Sequence, residues 1–268
     1  MSAPRPLASP VVDLLDRFAV VITLAAILVA WELAVDLAGI PRYVLPAPSD
    51  IWASMAAHAG SLLVHSWVTL LETLAGFGVS LAVGIPLAVL IVSSRIFDRI
   101  LYPILVASQA VPKVALAPIL LVALGYSLWP KIIVAFLIAF FPVVVNTVSG
   151  LASVDRDTLN LMRSMGASKM DVFLKVRFPH AVPSMIAGFK VAIALAVVGA
   201  VVGEFVGSNS GIGYVMQRSI GTFDLPTMFA ALVILALLGV ILFWIVDRIE
   251  RLVLPWHVSQ REEIIFAS

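Results

Sequence analysis

The chain has 268 residues, of which 62% are hydrophobic and only 12% are charged. A water-soluble fold of this length needs many more charges on its surface, so the composition predicts a membrane protein with several spans. The net charge of +1 gives no indication of a nucleic-acid-binding surface. Because the chain has no cysteine, disulfides, thiolate metal sites and thiol catalysis are excluded, and the four histidines show no metal-ligand spacing.

Six apolar runs are long enough to cross a hydrocarbon core of ~30 Å as helices of ~20 residues. They comprise residues 18–38, 68–92, 100–125, 128–150, 182–207 and 226–246. We therefore expect an all-α fold with a transmembrane domain over residues 18–253, preceded by segment 1–17 and followed by tail 254–268. Arg5 and Arg17 precede the first run as in a signal peptide, but no convincing small-residue cleavage site follows it, so we expect it to remain as a span.

The placement of lysine and arginine predicts which ends of the spans face the cytoplasm. With the N-terminus inside, the inner segments hold twelve of the 17 basic residues and the outer segments hold three, while Lys113 and Lys190 fall within the runs. This asymmetry predicts that both termini and the polar segment 151–181 are cytoplasmic, in a chain that crosses the inner (plasma) membrane several times.

The two outer links carry different signals. In the first, residues 39–67, Pro48 stiffens the chain and Ser49 is a candidate N-cap for a short helix whose Ile51, Trp52 and Met55 would lie at the membrane interface. The glycine-rich link 207–214 lacks the lysine of a Walker A loop and follows a membrane helix, so it predicts a flexible outer turn. If ATP drives this protein, another chain must bind the nucleotide.

A polar segment, residues 155–179, separates the fourth and fifth runs. Asp157 or Thr158 can cap a helix there. Its apolar residues form a narrow stripe flanked by basic residues and comprise Leu161, Met165, Met170 and Phe173. One interpretation is an amphipathic helix resting on the bilayer surface. The other is a docking helix, because Gly166 in mid-helix costs up to ~1 kcal/mol unless the chain bends or a partner comes close.

The same segment has Gly166, nine further residues, and then Val176, Phe178 and Pro179. This frame resembles the EAA loop of ABC importer permeases, EAA-x3-G-x9-I-x-L-P. Residues 43–49, 111–118, 178–183, 187–190 and 203–214 are similar, in order and position, to permeases of the nitrate/sulfonate/taurine group. The resemblance covers roughly residues 40–257. Stretches 114–125 and 199–208 look closer to permeases for thiamine-precursor pyrimidines or riboflavin.

This resemblance implies a type I importer fold in which the loop docks on a cytoplasmic ATPase. The residues expected to form that coupling site are Asn160, Arg163, Gly166, Ala167, Lys169, Asp171, Phe173 and Pro179. Asn160-Leu161-Met162 stands where the family has Glu-Ala-Ala, so the ion pairing of that glutamate cannot be assumed here. The implied partners are a second copy of the chain, two ATP-binding subunits that hold ATP and Mg, and an extracytoplasmic solute-binding protein, with no cofactor on this chain.

Ionisable groups inside the runs need a reason, because each costs ~2.5–3.5 kcal/mol on insertion. Glu32, Asp36 and Lys131 lie near helix ends, so we expect their side chains to reach the membrane interface. Lys190 and Glu72 lie deeper, and we expect their side chains to extend back to the interface. Lys190 and Glu204 are ~21 Å apart along a helix and too distant to pair. Four polar residues and one helix-breaking proline have two possible roles, in the translocation pathway or in the structure. They are Gln109, Pro112, Lys113, Asn146 and Glu204.

These observations predict the transmembrane subunit of an ATP-driven importer, without catalytic residues of its own. Its solute would be small and organic, of the pyrimidine, riboflavin or sulfonate/taurine/nitrate class. Two alternatives stay open: a half-size proton-coupled carrier in which Glu72 or Glu204 relays protons, and a membrane scaffold that transports nothing.

Overall fold

The computed structural model describes residues 10–254, and every regular element within this range is helical. The predicted segment 1–17 and tail 254–268 lie largely outside the described residues. In chain order the helices are α1 (Pro10–Ala38), α2 (Pro48–Ala57), α3 (Ala59–Ser93), α4 (Arg95–Ala107), α5 (Ala117–Leu124), α6 (Trp129–Ala152), α7 (Arg156–Ser164), α8 (Lys169–Val172), α9 (Phe178–Gly207), α10 (Ile212–Gly221) and α11 (Leu225–Val253). Two 3₁₀ turns, Ser108–Ala110 and Lys113–Leu116, join α4 to α5, and a π-helical stretch, Phe173–Arg177, joins α8 to α9.

Five of the six predicted spans are continuous helices long and apolar enough to cross a membrane: α1, α3, α6, α9 with its extension α8, and α11. The remaining span, predicted over residues 100–125, is a pair of helices bent by 82°. Pro112 explains the break, because proline has no N–H to donate and favours an extended residue before it. Val111 is accordingly extended, with φ −80° and ψ 121°. The interruption expected at the helix-breaking Pro112 is therefore present, and the bent pair counts as one of six spans.

Helices α3, α6 and α9 form the centre of the bundle, where small residues let their backbones approach closely. A Cβ added to Gly199 of α9 would lie 2.5 Å from the Cα of Ala135 on α6. A Cβ added to Gly203 of α9 would lie 2.8 Å from the Cα of Lys131 on α6. A Cβ added to Gly76 of α3 would lie 2.5 Å from the Cβ of Ala135. Lipid is as apolar as a leucine side chain, so close packing of this kind is a main source of association between membrane helices.

Helices α1 and α2 lie outside this core, against α11. Trp31 of α1 meets Phe229 of α11 edge to face, with ring centroids 6.0 Å apart. The hydroxyls of Ser54 on α2 and Thr227 on α11 are 2.8 Å apart. Most other described side chains of α1 are apolar and exposed, as expected for a helix that faces lipid.

The short helix predicted in the first outer link is present, but its start differs from the prediction. It begins at Pro48, and Ala47 occupies the N-cap position in place of Ser49. Ser49 instead donates its backbone N–H and its hydroxyl to the carboxylate of Glu32, at 3.0 and 2.6 Å. Ile51, which was expected at the interface, is buried in the core.

The two ends of the bundle carry different features. Phe173 and Val92, which lies near the end of α3, both pack against the buried cluster that contains Leu151, near the end of α6. We call this end, which carries residues 151–177, the loop end. The opposite end carries α10, and we call it the α10 end. Helix α9 runs from one to the other and is therefore the direct connection between them.

Candidate functional site

The polar segment between α6 and α9 folds as two short helices separated by a tight turn. Helix α7 ends in a Schellman motif: Gly166 N–H donates to the carbonyl of Arg163, and Ala167 N–H donates to that of Met162, both at 3.0 Å. Gly166 has φ +77°, a conformation that glycine adopts without steric cost. Gly166 thus terminates α7, and the expectation that it lies in the middle of a helix was wrong. The bend that was predicted from this glycine is present.

Helix α8 has a complete cap of its own. The hydroxyl of Ser168 accepts the N–H of Asp171 at 3.1 Å, and the Asp171 carboxylate accepts the N–H of Ser168 at 3.3 Å. A hydrogen bond from Lys175, followed by one from Ser168, lowers the pKa of Asp171 to about 2. Asp171 is therefore ionised at physiological pH. Helix α7, by contrast, begins at Arg156 with Asp155 at the N-cap position, so the predicted caps Asp157 and Thr158 lie inside it.

The predicted apolar stripe is divided between the protein core and the surface. Leu161, Met165 and Met170 are 60%, 73% and 64% exposed. Phe173 instead packs against Leu151 and anchors the loop to the bundle. Large exposed apolar side chains on a polar loop are typical of an interaction surface. We call Leu161, Met165 and Met170 the loop surface.

Helix α8 continues into α9 without interruption. The N–H of Phe178 donates to the carbonyl of Phe173, which is the i→i+5 bond of a π turn. Pro179 follows and has no N–H to place in the helix. Residues Lys169–Gly207 consequently form one apolar helix of 39 residues that extends from the loop to the α10 end. No loop therefore separates α8 from α9.

Half of the predicted coupling residues surround one cavity of about 280 Å³ between the loop and the end of α3. These lining residues are Arg163, Ala167, Lys169 and Phe173. Asn160 is exposed on α7, Gly166 forms the turn and Asp171 caps α8, while Pro179 lies beyond the cavity at the start of α9. Arg177, which was not among the predicted residues, adds a third basic side chain to the lining.

Three of the pathway candidates lie at the break in the third span. The Lys113 ammonium donates to the side-chain oxygen of Gln109 and lies 5.8 Å from the centroid of the Phe141 ring on α6. Pro112 opens the break immediately before Lys113. Asn146 lies elsewhere on α6, where its Nδ2 donates to the carbonyl one turn earlier at 2.9 Å. The structure thus brings Gln109, Pro112 and Lys113 together.

Glu204 is fully buried and binds the N-terminus of α10. Its Oε2 accepts the N–H of Gly213 at 2.5 Å, and its Oε1 accepts the hydroxyl of Thr69 on α3 at 2.7 Å. The Thr69 oxygen in turn accepts the N–H of Ile212 at 2.8 Å. The first amides of a helix have no carbonyl partner within it, and here they are satisfied by α3 and α9. This geometry gives Glu204 an anchoring role.

The link at residues 207–214 is ordered by these contacts, so the prediction of a flexible outer turn was wrong. Gly211, with φ +101°, donates its N–H to Nδ1 of His65 at 3.0 Å. A Cβ on Gly213 would lie 2.8 Å from Oε2 of Glu204. The carboxylate therefore occupies the space that a side chain would need. The combination of an acid in a span with a following Gly-x-Gly is the sequence signal for this site.

Glu72 of α3 and Lys131 of α6 form a buried ion pair, with 2.7 Å between the charged atoms. Both residues were expected to extend to the interface, and this was wrong, because their side chains are only 2% and 6% exposed. The carboxyl groups of Glu72 and Glu204 are also close enough to interact. These three side chains, together with the N-terminus of α10, make one polar cluster that links α3, α6, α9 and α10.

A second buried pairing joins α9 to α11. Lys190, also expected to extend to the interface, contacts the carboxylates of Asp247 and Glu250. The two acids are three residues apart and so share a face of α11. The predicted sixth run ended at residue 246, one residue before Asp247, which is why these partners were missed. As expected, Lys190 and Glu204 belong to separate networks.

Comparison with known proteins decides what this bundle is. Residues 80–255 match the family described as the binding-protein-dependent transport system inner membrane component. The chain belongs to this family of transport permeases. The matched region runs from within α3 through the loop and α10 to the end of α11. It includes Lys190 with its two acids on α11, and Lys131, Glu204 and α10 of the other cluster, whereas Glu72 precedes it.

Several curated proteins resemble the permease over most of their length. It is 40% identical over 235 residues to the formylaminopyrimidine transport permease protein ThiX of Halalkalibacterium halodurans, covering 87% of this chain and 94% of the relative. It is 35% identical over 265 residues to the riboflavin transport system permease protein RibX of Chloroflexus aurantiacus, covering 96% and 98%. An inward-facing structure of the MetNI methionine ABC transporter matches with TM-score 0.65 at 23% identity, over 74% of this chain and 98% of that chain.

These comparisons confirm the predicted family and the predicted type I importer permease fold. The permease is a multi-pass inner-membrane subunit of an ABC importer and not an enzyme. Membership of this family favours an importer subunit over the two alternative hypotheses, a proton-coupled carrier and a membrane scaffold. Within the described bundle, Glu72 and Glu204 are accordingly understood as parts of a structural network.

Proposed function

We propose that the permease forms the channel of an ATP-driven importer as a pair of copies with two cytoplasmic ATP-binding subunits. Those subunits would hold ATP and Mg, and an extracytoplasmic binding protein would deliver the solute. The observation that carries this proposal is the loop surface. Leu161, Met165 and Met170 are exposed on a loop that continues as a single helix into the centre of the bundle. Such a surface suits a partner that moves the spans by displacing the loop.

The contacts of α9 suggest how this displacement would act. ATP binding would close the two ATP-binding subunits and move α8, and α9 would follow because both belong to one helix. At its far end α9 packs on α6 through Gly199 and Gly203 and binds α10 through Glu204. Movement of the loop would thus reach the α10 end and convert the spans from inward-facing to outward-facing.

The orientation of the permease is part of the proposal. The charge asymmetry favours a cytoplasmic loop end with both termini on the same side. Reporter fusions after Gly60 and Ser219 should then be external, and fusions after Ser94 and Lys169 cytoplasmic. A cytoplasmic reporter after Ser219 would contradict this topology.

We also propose that the solute is a small organic molecule of the pyrimidine-precursor or riboflavin class. Two observations support this choice over sulfonates, taurine or nitrate. The relative named for formylaminopyrimidine is 40% identical and the one named for riboflavin 35% identical. By contrast, a sulfonate permease of Bacillus subtilis is 28% identical.

The loop surface can be tested with one substitution and its control. Met165→Asp places a charge where an apolar contact with the ATP-binding subunit is proposed, and co-purification of that subunit should fall by about tenfold or more. Insertion and thermal stability should not change, because Met165 is 73% exposed. Met165→Leu keeps the apolar surface and should bind normally. Normal co-purification with Met165→Asp would remove the coupling role from this surface.

A further inference from the structure

Two lysines, Lys113 and Lys190, lie within the predicted spans and a third, Lys131, lies near the end of one, and their surroundings differ. Lys131 is neutralised by Glu72, and Lys190 by Asp247 and Glu250. In the part of the chain that the structure describes, Lys113 has no carboxylate within the 4.0 Å that defines an ion pair. Lys113 also lies at the break between α4 and α5, at least twelve residues along the chain from either end of the predicted run 100–125.

The backbone around Lys113 indicates what it faces. Residues 108–116 contain two 3₁₀ turns and an extended residue, with no continuous helix. Lipid cannot satisfy the polar groups of such a backbone, so irregular segments at membrane depth are covered by protein or line a water-filled cavity. In the single chain Val111 and Val114 are 49% and 53% exposed. The described residues of the same chain therefore leave the segment uncovered, and it is suited to line an aqueous pathway between two copies.

The side chains of Lys113 and Gln109 present hydrogen-bond donors at this break. A lysine ammonium can only donate hydrogen bonds, and Lys113 uses one of its three N–H groups on the side-chain oxygen of Gln109. The side-chain oxygen of Gln109 is thereby engaged, while its NH₂ group adds two further donors. The Phe141 ring lies beside the ammonium and closes one side of the site. The site consequently offers donors and positive charge.

We infer that Lys113 and Gln109 form a contact site for the transported solute and that this solute presents hydrogen-bond acceptors to it. The acceptors are carbonyl oxygens or ring nitrogens in a neutral heterocycle, or the oxygens of an anionic group. This inference rests on the proposed import function and adds to it a specific point of contact in the membrane. Donors that are buried without a partner are costly, so a solute that lacks acceptors is rejected there.

Water access to Lys113 can be measured without knowing the solute. The chain has no native cysteine, so Lys113→Cys introduces a single thiol. In the intact complex with its ATPase, a membrane-impermeant sulfonated thiol reagent should label this cysteine from the aqueous phase. Leu24→Cys on the apolar outer face of α1 is the control and should be labelled only by a lipid-soluble reagent. Failure of the impermeant reagent to label Lys113→Cys, with labelling restored after denaturation, would overturn the inference.

Solute contact is tested by uptake into proteoliposomes that contain the permease, its ATPase and its binding protein. The probes are riboflavin, formylaminopyrimidine and a short alkanesulfonate, the last of which separates an anionic from a neutral solute. Lys113→Met should lower uptake of the accepted probe by about tenfold or more, since its donors are lost. Lys113→Arg keeps donors and charge and should retain most of the uptake.

Two results would overturn the inference while leaving the import function intact. One is ATP-dependent uptake by Lys113→Met at the wild-type rate. The other is an equal loss with Lys113→Met and Lys113→Arg, which would indicate a packing role. The proposed function fails by a different result, namely a wild-type permease that does not bind an ATPase or takes up solute without ATP.

Discussion

Oε2 of Glu204 lies 2.5 Å from the backbone nitrogen of Gly213, so a carboxylate near the end of one membrane helix caps the start of the next. Helix α10 has glycine at its N-cap and no side chain of its own to bind its first amides. A negative charge is favourable at this position because the N-terminus of a helix carries partial positive charge. The cap also ties α10 to α9, the helix that continues from the loop.

Replacing Glu204 by alanine should loosen α10. The change leaves the buried N–H of Gly213 without its acceptor, at a cost of ~1–3 kcal/mol. The hydroxyl of Thr69 keeps only its longer hydrogen bond to the carbonyl of His65, at 3.2 Å. Hydrogen exchange should become faster at residues 211–214 while the loop amides keep their wild-type rates. Glu32→Ala serves as the control, since it removes a carboxylate bound to Ser49 at the periphery. Unchanged exchange at residues 211–214 in Glu204→Ala would refute the capping role.

The contact between α6 and α9 should be sensitive to the size of residue 199. A Cβ on Gly199 meets the backbone of Ala135, which cannot move aside without separating the helices. Gly199→Val should therefore lower stability by ~1–3 kcal/mol or more through overpacking, seen as a lower thermal unfolding midpoint in detergent. The matched control is Gly239→Val on α11, where no heavy atom of another described helix lies within 4 Å of an added Cβ. Equal midpoints for the two variants would be inconsistent with this packing.

The buried pair of Glu72 and Lys131 should show strong coupling in a double-mutant cycle. Lys131→Met leaves Glu72 as an uncompensated charge, and loss of one partner of a buried pair typically costs ~3–5 kcal/mol. Glu72→Gln combined with Lys131→Met removes both charges and should recover much of the lost stability. Thermal unfolding of the four proteins in one detergent measures the coupling. Additive losses in the double variant would mean that the two side chains act independently.

Span number and family were predictable because hydrophobic run length and the Gly166-to-Pro179 frame are properties of local sequence. The position of the break was also predictable, because Pro112 interrupts helix hydrogen bonding. The 82° angle between the two helices depends instead on how α5 packs against α6 and α9. Proline interrupts the hydrogen bonding of a helix without deciding whether the result is a kink or a sharp bend. Local sequence therefore indicated the position of the break and not its size.

The polar clusters could not be predicted in the same way, because their partners are distant in sequence. Glu72 and Lys131 are 59 residues apart, and Thr69 and Glu204 are 135 apart. Considered singly, a lysine near a helix end is expected to extend toward water. Only the packing of α3 against α6 shows that Lys131 faces inward and meets an acid. The capping of α10 likewise requires knowledge of which helices surround it.

Substitutions at Gly166 can distinguish two reasons for a glycine in the loop: the backbone conformation of the turn, and space for the ATP-binding subunit. Its φ of +77° disfavours other residues, and β-branched ones most, but asparagine tolerates this region. Among the described residues beyond its two chain neighbours, no heavy atom lies within 4 Å of an added Cβ, so these residues leave room for a side chain here. Gly166→Val should therefore disturb the turn itself, at a cost of ~1–2 kcal/mol.

Gly166→Asn should preserve the turn and yet weaken docking, since its side chain projects into the space that the ATP-binding subunit is proposed to enter. We expect hydrogen exchange of the loop to match the wild type in Gly166→Asn and to be faster in Gly166→Val. Co-purification of the ATP-binding subunit and ATP-dependent uptake should fall in both. If Gly166→Asn binds the subunit as well as the wild type does, the glycine serves only to end α7, and a close approach of the partner at this point is ruled out.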